Sequence, residues 1–339
     1  MAEAATPRAM IRAMVQGTCP ARPLLLPVVF SLGGRLENVP LRAFLSNPTK
    51  IASSLRQLRA ALSLDGVTCY FDPYIEAEAL GCEVQWNTEG SNRTIRAAPI
   101  NVDALRQRSP TPDQIGQRGR VSLACEVVRR LKVMLPGEPA LAVSVTGPCA
   151  LAVQLAGAAS ARGPAFNEAG FSEATEFAAD VAVALCKGFL DAGANVIFLR
   201  EDVAAIPDIK RWGDLLNPVV NVIRFYEALP VLLPANPSAT AASSAVNGAC
   251  EGLICPGTID LPAPALSPQI AASYSAYLPI QELLLSEASD AALIDFLQTP
   301  APDLGLGLLT TQDDISAGAD LRRLANLFRS VHGGSRVVA

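Results

Sequence analysis

The 339-residue chain contains a single histidine, His332. A zinc centre built on two or three imidazoles is therefore excluded within one chain. A Ser-His-Asp triad has only one place to start, near the C-terminus. Aromatic residues make up 5% and charged residues 17%. Basic residues are also scarce: 27 Lys and Arg stand against 32 Asp and Glu, a net charge of −5. That excludes a general nucleic-acid binder, which carries a basic footprint. No run of about 18 apolar residues occurs, so no membrane span is expected. The opening MAEAATPRAMIRAM has no apolar signal-peptide core, which points to a cytoplasmic location. No Gly-x-Gly-x-x-Gly follows the first apolar run, which argues against a dinucleotide site. The eight cysteines include no CxxC pair, and most sit in apolar runs such as VALCKGF. They read as buried reduced thiols.

What is present is a large apolar complement, 50% of the residues, enough for a sizeable core. Strand candidates fall at 24–30, 66–71, 141–146, 195–200, 229–233, 252–255 and 304–309. Between them run helical patterns at 48–64, 120–134, 150–158, 172–192, 213–228, 239–248, 289–298 and 317–332. Asn47-Pro48 has the form of a helix start, with proline in the first turn. About seven or eight strand–helix alternations argue for parallel strands with covering helices. An open doubly wound sheet and a closed barrel both satisfy that pattern. The polar stretch 86–118 breaks the rhythm and reads as an excursion near the mouth, a hairpin or a lid. A proline-rich loop occupies 256–269. Neither resembles a domain linker, so a single domain over 1–339 is expected, with its core at about 8–332.

In a barrel the functional groups collect at the C-terminal ends of strands. Ser31 and Arg35 follow the first strand, and Arg35 stands after two glycines that let backbone approach a ligand. Asp72 follows the second strand and precedes Pro73, with Tyr74, Glu76 and Glu78 close behind. A carboxylate there can hold a cationic nitrogen or move a proton, and its bland alternative is a helix cap or an ion pair with Arg35. Glu76 and Glu78 face different sides of a helix, so one of them is expected to be solvated. Arg200, Glu201 and Asp202 end the fourth strand, where local ion pairing is the bland alternative. Thr310 to Asp314 follow the last strand. His332 reads as a helix-end cation interacting with terminal carbonyls.

These residues carry a likeness. The segment Phe71-Asp72-Pro73-Tyr74-Ile75-Glu76-Ala77-Glu78-Ala79-Leu80-Gly81 resembles the strand-end aspartate segment of the uroporphyrinogen decarboxylase superfamily. That superfamily includes the decarboxylase and corrinoid-linked methyltransferases. Leu32-Gly33-Gly34-Arg35 is similar to the decarboxylase's Gln-Ala-Gly-Arg segment. Thr146-Gly147-Pro148 resembles its Gly-x-Pro segment, and Leu304-Gly305-Leu306-Gly307-Leu308 resembles its closing Leu-Gly-His-Gly-Leu.

The resemblance implies a (β/α)8 TIM barrel. It implies a cofactor-free decarboxylase acting on a tetrapyrrole or related polycarboxylate. Asp72 would then be the catalytic residue, binding pyrrole nitrogens and stabilising a protonated intermediate, and Arg35 would hold a carboxylate. Ser31, Tyr74, Glu76, Gln154, Arg200 and Asp202 would complete the substrate site. Departures are equally informative. Ser31 stands where the family has a further arginine, Gln154 falls near its tyrosine, and Leu306 replaces its histidine. The methyltransferase branch has a His-x-Cys zinc pair after the fifth strand; here the sequence reads Leu233-Pro234-Ala235-Asn236-Pro237. That leaves no metal expected and two alternatives: a zinc-free methyl-transfer or demethylation component of a corrinoid protein, or a barrel kept for binding alone. A homodimer is compatible with the resemblance.

Overall fold

The structure is a computed structural model, and it describes residues 6–87, 93–96, 112–156, 168–203, 206, 208–235, 246, 248–258, 275–278 and 306–334. Strands β1 (Leu24–Leu25), β2 (Gly66–Tyr70), β3 (Glu83–Trp86), β4 (Arg93–Arg96), β5 (Ala140–Thr146), β6 (Val196–Glu201), β7 (Leu229–Pro234), β8 (Gly257–Thr258), β9 (Ser275–Tyr277) and β10 (Leu308–Thr310) follow one another along the chain. Residues of β5, β6 and β7 are buried throughout. Strands covered on both faces read as continuous apolar runs, and this is why the sequence showed them so plainly.

All of the strand pairs in the two larger sheets are parallel, in the orders β1-β10-β9-β8 and β2-β5-β6-β7. Two seams join the sheets. Val231 of β7 bridges Ile254 just before β8, with Leu232 N–H donating to Ile254 O at 2.8 Å and Ile254 N–H to Pro230 O at 2.9 Å. At the other seam Asp65 N–H donates to Leu25 O at 3.3 Å. Neighbours around the ring are therefore consecutive in sequence, the arrangement of a (β/α)8 barrel.

The first strand is shorter than the sequence suggests. Only Leu24 and Leu25 pair as a ladder. Pro27 has no N–H to donate, and Val28 N–H turns instead to the Thr311 hydroxyl at 3.0 Å. Strand β9 was not visible in the sequence, since Ser-Ala-Tyr is three residues with no apolar run. The polar excursion begins as a hairpin: β3 pairs antiparallel with β4, starting at Glu83. The rest of that stretch up to 111, the helix expected at 289–298, and most of 239–248 and 256–269 lie outside the described residues.

Helix Pro48–Leu62 shows how locally the sequence works. Asn47 caps it by accepting from Lys50 N–H at 3.0 Å, and Pro48 opens the first turn. Ser63 ends it in the left-handed region, φ 54°. Ile51, Leu55, Leu58 and Leu62 form its buried stripe, each contributing roughly 2 kcal/mol of transfer free energy. Helix Ile209–Phe225 starts earlier than the apolar spacing suggested, because Asp208 accepts from both Lys210 and Arg211 N–H groups. Among the described residues, no helix is long and apolar enough to cross a membrane.

Candidate functional site

Parallel strands deliver their C-terminal ends to one mouth, and Ser31, Asp72, Thr146, Arg200 and Asp313 all follow or close such ends. Asp72 is 1% exposed. Its Oδ1 accepts from Tyr74 N–H at 3.0 Å, a local turn bond typical of aspartate. Its other oxygen takes a short ion pair from Arg120. Arg120 also grips Glu78, with Nε to Oε1 at 3.0 Å and a second short contact to Oε2. One guanidinium thus bridges two carboxylates. An ion pair with Arg35 was one bland alternative for Asp72; here Arg120 pairs with it, and Arg35 bonds elsewhere.

Arg120 was missed by sequence reasoning, though a signal existed. It lies in the first turn of helix Gly119–Met134, which has no side-chain cap. A cation there opposes the helix macrodipole, so an unexplained arginine in a first turn points to a carboxylate partner elsewhere.

Glu76 and Glu78 divide as their spacing requires. Glu78 keeps a partly exposed side chain against Arg120, while Glu76 is wholly buried. Glu76 accepts from Thr146 N–H at 2.9 Å and from the Thr146 hydroxyl at 2.7 Å. Burial pushes its carboxyl up to about 7, against the pull of those two bonds. Gln154 donates to Pro73 O at 2.8 Å, and its Oε1 is buried without a hydrogen-bond partner. Gln154 therefore buttresses the Asp72 turn.

Arg200 is 6% exposed, and burial lowers its pKa. Its guanidinium carbon lies 4.9 Å from the Phe71 ring centroid, within cation–π range. Asp313, 3.9 Å away, is a neighbour but lies beyond hydrogen-bond length. Local pairing with Glu201 does not occur. Adjacent strand residues point to opposite faces, and Glu201 turns to the helices. It accepts from Cys149 N–H at 3.2 Å, Ala150 N–H at 2.7 Å and Trp212 Nε1 at 2.9 Å. Glycine is required at 147 because a Cβ there would sit 2.6 Å from that carboxylate. Asp202, half-buried, donates its N–H to Glu201 Oε1 at 2.9 Å.

The first-strand loop is tied to the last. Ser31 donates its N–H to Asp314 Oδ2 at 2.9 Å and its hydroxyl to the same oxygen. Phe30 N–H takes Oδ1 at 2.7 Å. Enclosure of that carboxyl pushes it up to about 7. Arg35 is exposed and donates to Ala317 O at 3.0 Å and Ala319 O at 2.7 Å. Its preceding glycines serve packing, since a Cβ on Gly33 would meet Phe44 Cζ at 2.6 Å. The structure therefore brings Asp72, Glu76, Tyr74 and Arg200 into one electrostatic neighbourhood. It places Arg35 in a loop clasp instead.

Leu306 is fully buried, as are Leu233 and Pro234 at the end of β7. None of the three offers a donor atom for a metal. Among the described residues no three His, Cys, Asp or Glu side chains are grouped to hold one. The zinc site of the methyltransferase branch does not fit these residues. All eight cysteines are free thiols, and burial pushes Cys255, which comes just before β8, up to about 12. Such a thiol stays protonated at neutral pH.

Comparison with known proteins agrees with this geometry. A methyltransferase from Methanosarcina mazei superposes with a TM-score of 0.68 at 14% identity, covering 97% of this chain and 98% of that one. It shows the fold. Two curated relatives, both methylcobamide:CoM methyltransferase MtaA, come from Methanosarcina barkeri strain Fusaro and Methanosarcina barkeri. They are 26% and 25% identical over 156 residues, 44% of this chain and 44% of each relative. The chain thus spans less than half the length of the curated relatives it matches. The uroporphyrinogen decarboxylase (URO-D) profile matches residues 9–220, a span that includes Ser31, Asp72, Glu76, Arg120 and Arg200. With more than half of its length matched by that profile, the chain belongs to the uroporphyrinogen decarboxylase family.

Proposed function

We propose that the protein is an enzyme of small-molecule methyl transfer, working at the barrel mouth with a corrinoid carried by a partner protein. One observation carries the choice over decarboxylation: Asp72 is already paired with Arg120, which it shares with Glu78, and Arg35 is clasped by backbone carbonyls. Cofactor-free decarboxylation of a tetrapyrrole calls for a free carboxylate facing the cationic intermediate and for several cations facing the substrate's acids. Of Arg35, Arg120 and Arg200, the last remains for an acid. The names of the two relatives, both methylcobamide:CoM methyltransferases, support the same choice.

The corrinoid would supply the methyl group. What this chain contributes is the acceptor's binding and its proton. Glu76, whose carboxyl burial pushes up to about 7 beside Asp72 and Arg200, would be a group able to exchange a proton at neutral pH. Asp72 and Arg120 hold the turn above it. Since the zinc donors are missing, no step is routed through a metal.

The test is to incubate the purified protein with methylcobalamin and a panel of thiol acceptors, following the corrinoid spectrum. Demethylation that depends on both protein and acceptor is the expected result. Release of carbon dioxide from uroporphyrinogen, with methylcobalamin left intact, would establish the decarboxylase alternative instead.

A further inference from the structure

We propose that Arg200 is an anchor for a carboxylate, so that the substrate of this mouth is a small acid. This rests on the mouth being the substrate site, and it deepens that reading by naming the charge the substrate carries. The guanidinium is buried, yet its Nε is enclosed without any hydrogen-bond partner. Buried charged donors are ordinarily paired and hydrogen-bonded, because desolvation without partners is costly. Among the described residues, its acidic neighbour within 4 Å does not satisfy that donor. Asp313 Oδ1 is 3.9 Å away and already accepts from Asp314 N–H at 2.8 Å. The other acids nearby are engaged elsewhere: Asp72 and Glu78 share Arg120, and Glu76 is bonded to Thr146. The Arg200 guanidinium thus keeps a donor that none of these acids takes up.

The shape of the group narrows the ligand. Guanidinium offers parallel N–H donors in a planar fork, which matches the two oxygens of a carboxylate. Phe71 lies against one face of that fork, so a ligand would approach along the edge. There the apolar ring excludes water from the pair. Among the described residues, Arg120 is bound to two carboxylates and Arg35 to two carbonyls, so neither competes with Arg200 for the ligand.

The experiment is calorimetric titration of the intact protein with propionate and with propionamide, its neutral isostere, with no corrinoid present. Wild type should bind propionate at least tenfold more tightly than propionamide. Arg200→Gln should abolish that preference, and Arg200→Lys, which keeps the charge and loses the fork, should retain only part of it. Because Arg200→Gln removes an unsatisfied buried charge, its melting temperature should be unchanged or raised; a purely structural arginine would lower it. Equal binding of the two probes by wild type, or an unchanged propionate preference in Arg200→Gln, would overturn the anchor. Methyl transfer plays no part in the measurement. An enzyme that binds propionate through Arg200 but never demethylates a corrinoid would sink the proposed reaction and leave the anchor standing.

Discussion

The two ends of the barrel treat charge in opposite ways. At the base, Asp65 sits in the turn before β2. Arg22 holds it through two bonds of 2.7 Å, Leu25 N–H donates at 2.8 Å, and His332 approaches to 3.9 Å. Every oxygen of that carboxylate has a partner, and the cluster ties β1 and the residues before it to the turn before β2. At the mouth, Arg200 is buried with donors left over, and Glu76 is buried where its charge is disfavoured. Charge that completes itself fixes a fold; charge that stays incomplete costs stability and awaits something from outside. His332 lies near the end of helix Leu321–Gly334, close to Asp65 and far from the chemistry.

Removing one charge at each end should break the symmetry of this contrast most visibly. Asp65→Ala strips Arg22 and the Leu25 N–H of their acceptor at once, and should cost about 3–4 kcal/mol, the range for breaking a buried pair. Urea denaturation of Asp65→Ala beside Arg200→Gln reads both ends: the first should lose stability, the second should not. Equal losses would show that the mouth is as structural as the base.

Arg120 tests the part of the mouth that is complete. Arg120→Gln takes from Asp72 and Glu78 the guanidinium that bridges them, and should cost about 3 kcal/mol. A double-mutant cycle of Arg120→Gln with Asp72→Asn that shows no coupling would contradict the ion-pair assignment.

Much of this was legible in the sequence, for identifiable reasons. Fully buried parallel strands print themselves as apolar runs, so β2, β5, β6 and β7 could be placed nearly to the residue. Asp72 stood out because a strand ran straight into an Asp-Pro turn. Strand β9 was hidden because Ser275–Tyr277 is too short to carry a pattern. Arg120 was hidden because its partners, Asp72 and Glu78, lie more than forty residues upstream, across a polar stretch with no periodicity. Arg35 misled for a local reason. Gly-Gly before an arginine looks like room for a ligand, and here it is room for Phe44.

Glu76 sharpens the comparison through pH. Its carboxyl is raised to about 7 from an ordinary 4.5. Between those values the folded chain holds a proton that the unfolded chain releases. The stability linked to that proton is complete below about 4.5 and is lost as pH rises through about 7. Wild type should therefore lose about 2–3 kcal/mol more than Glu76→Gln between roughly pH 5 and pH 8. Asp314, which is raised similarly, remains in both proteins, so the difference isolates Glu76. Parallel pH profiles for the two would mean that Glu76 is ionised in the fold and cannot serve as the proton carrier.

The smallest effect is the most discriminating. Asp313 is the acid nearest to Arg200, with 44% of its side chain exposed, and it stands too far away to bond. As a stabilising pair it should be worth within about 0.5 kcal/mol, so Asp313→Asn should leave the denaturation midpoint almost unmoved. As a competitor for the same cation it matters differently. Its negative charge lies at the rim, where an incoming anion must pass, and removing it should tighten propionate binding by about two- to threefold, an effect that fades with added salt. If Asp313 were instead the intended partner of Arg200, its removal would destabilise the fold and leave carboxylate affinity unchanged. The two outcomes differ in which measurement moves, and together they decide whether the open charge at the mouth is a loosely made ion pair or a place kept for a substrate.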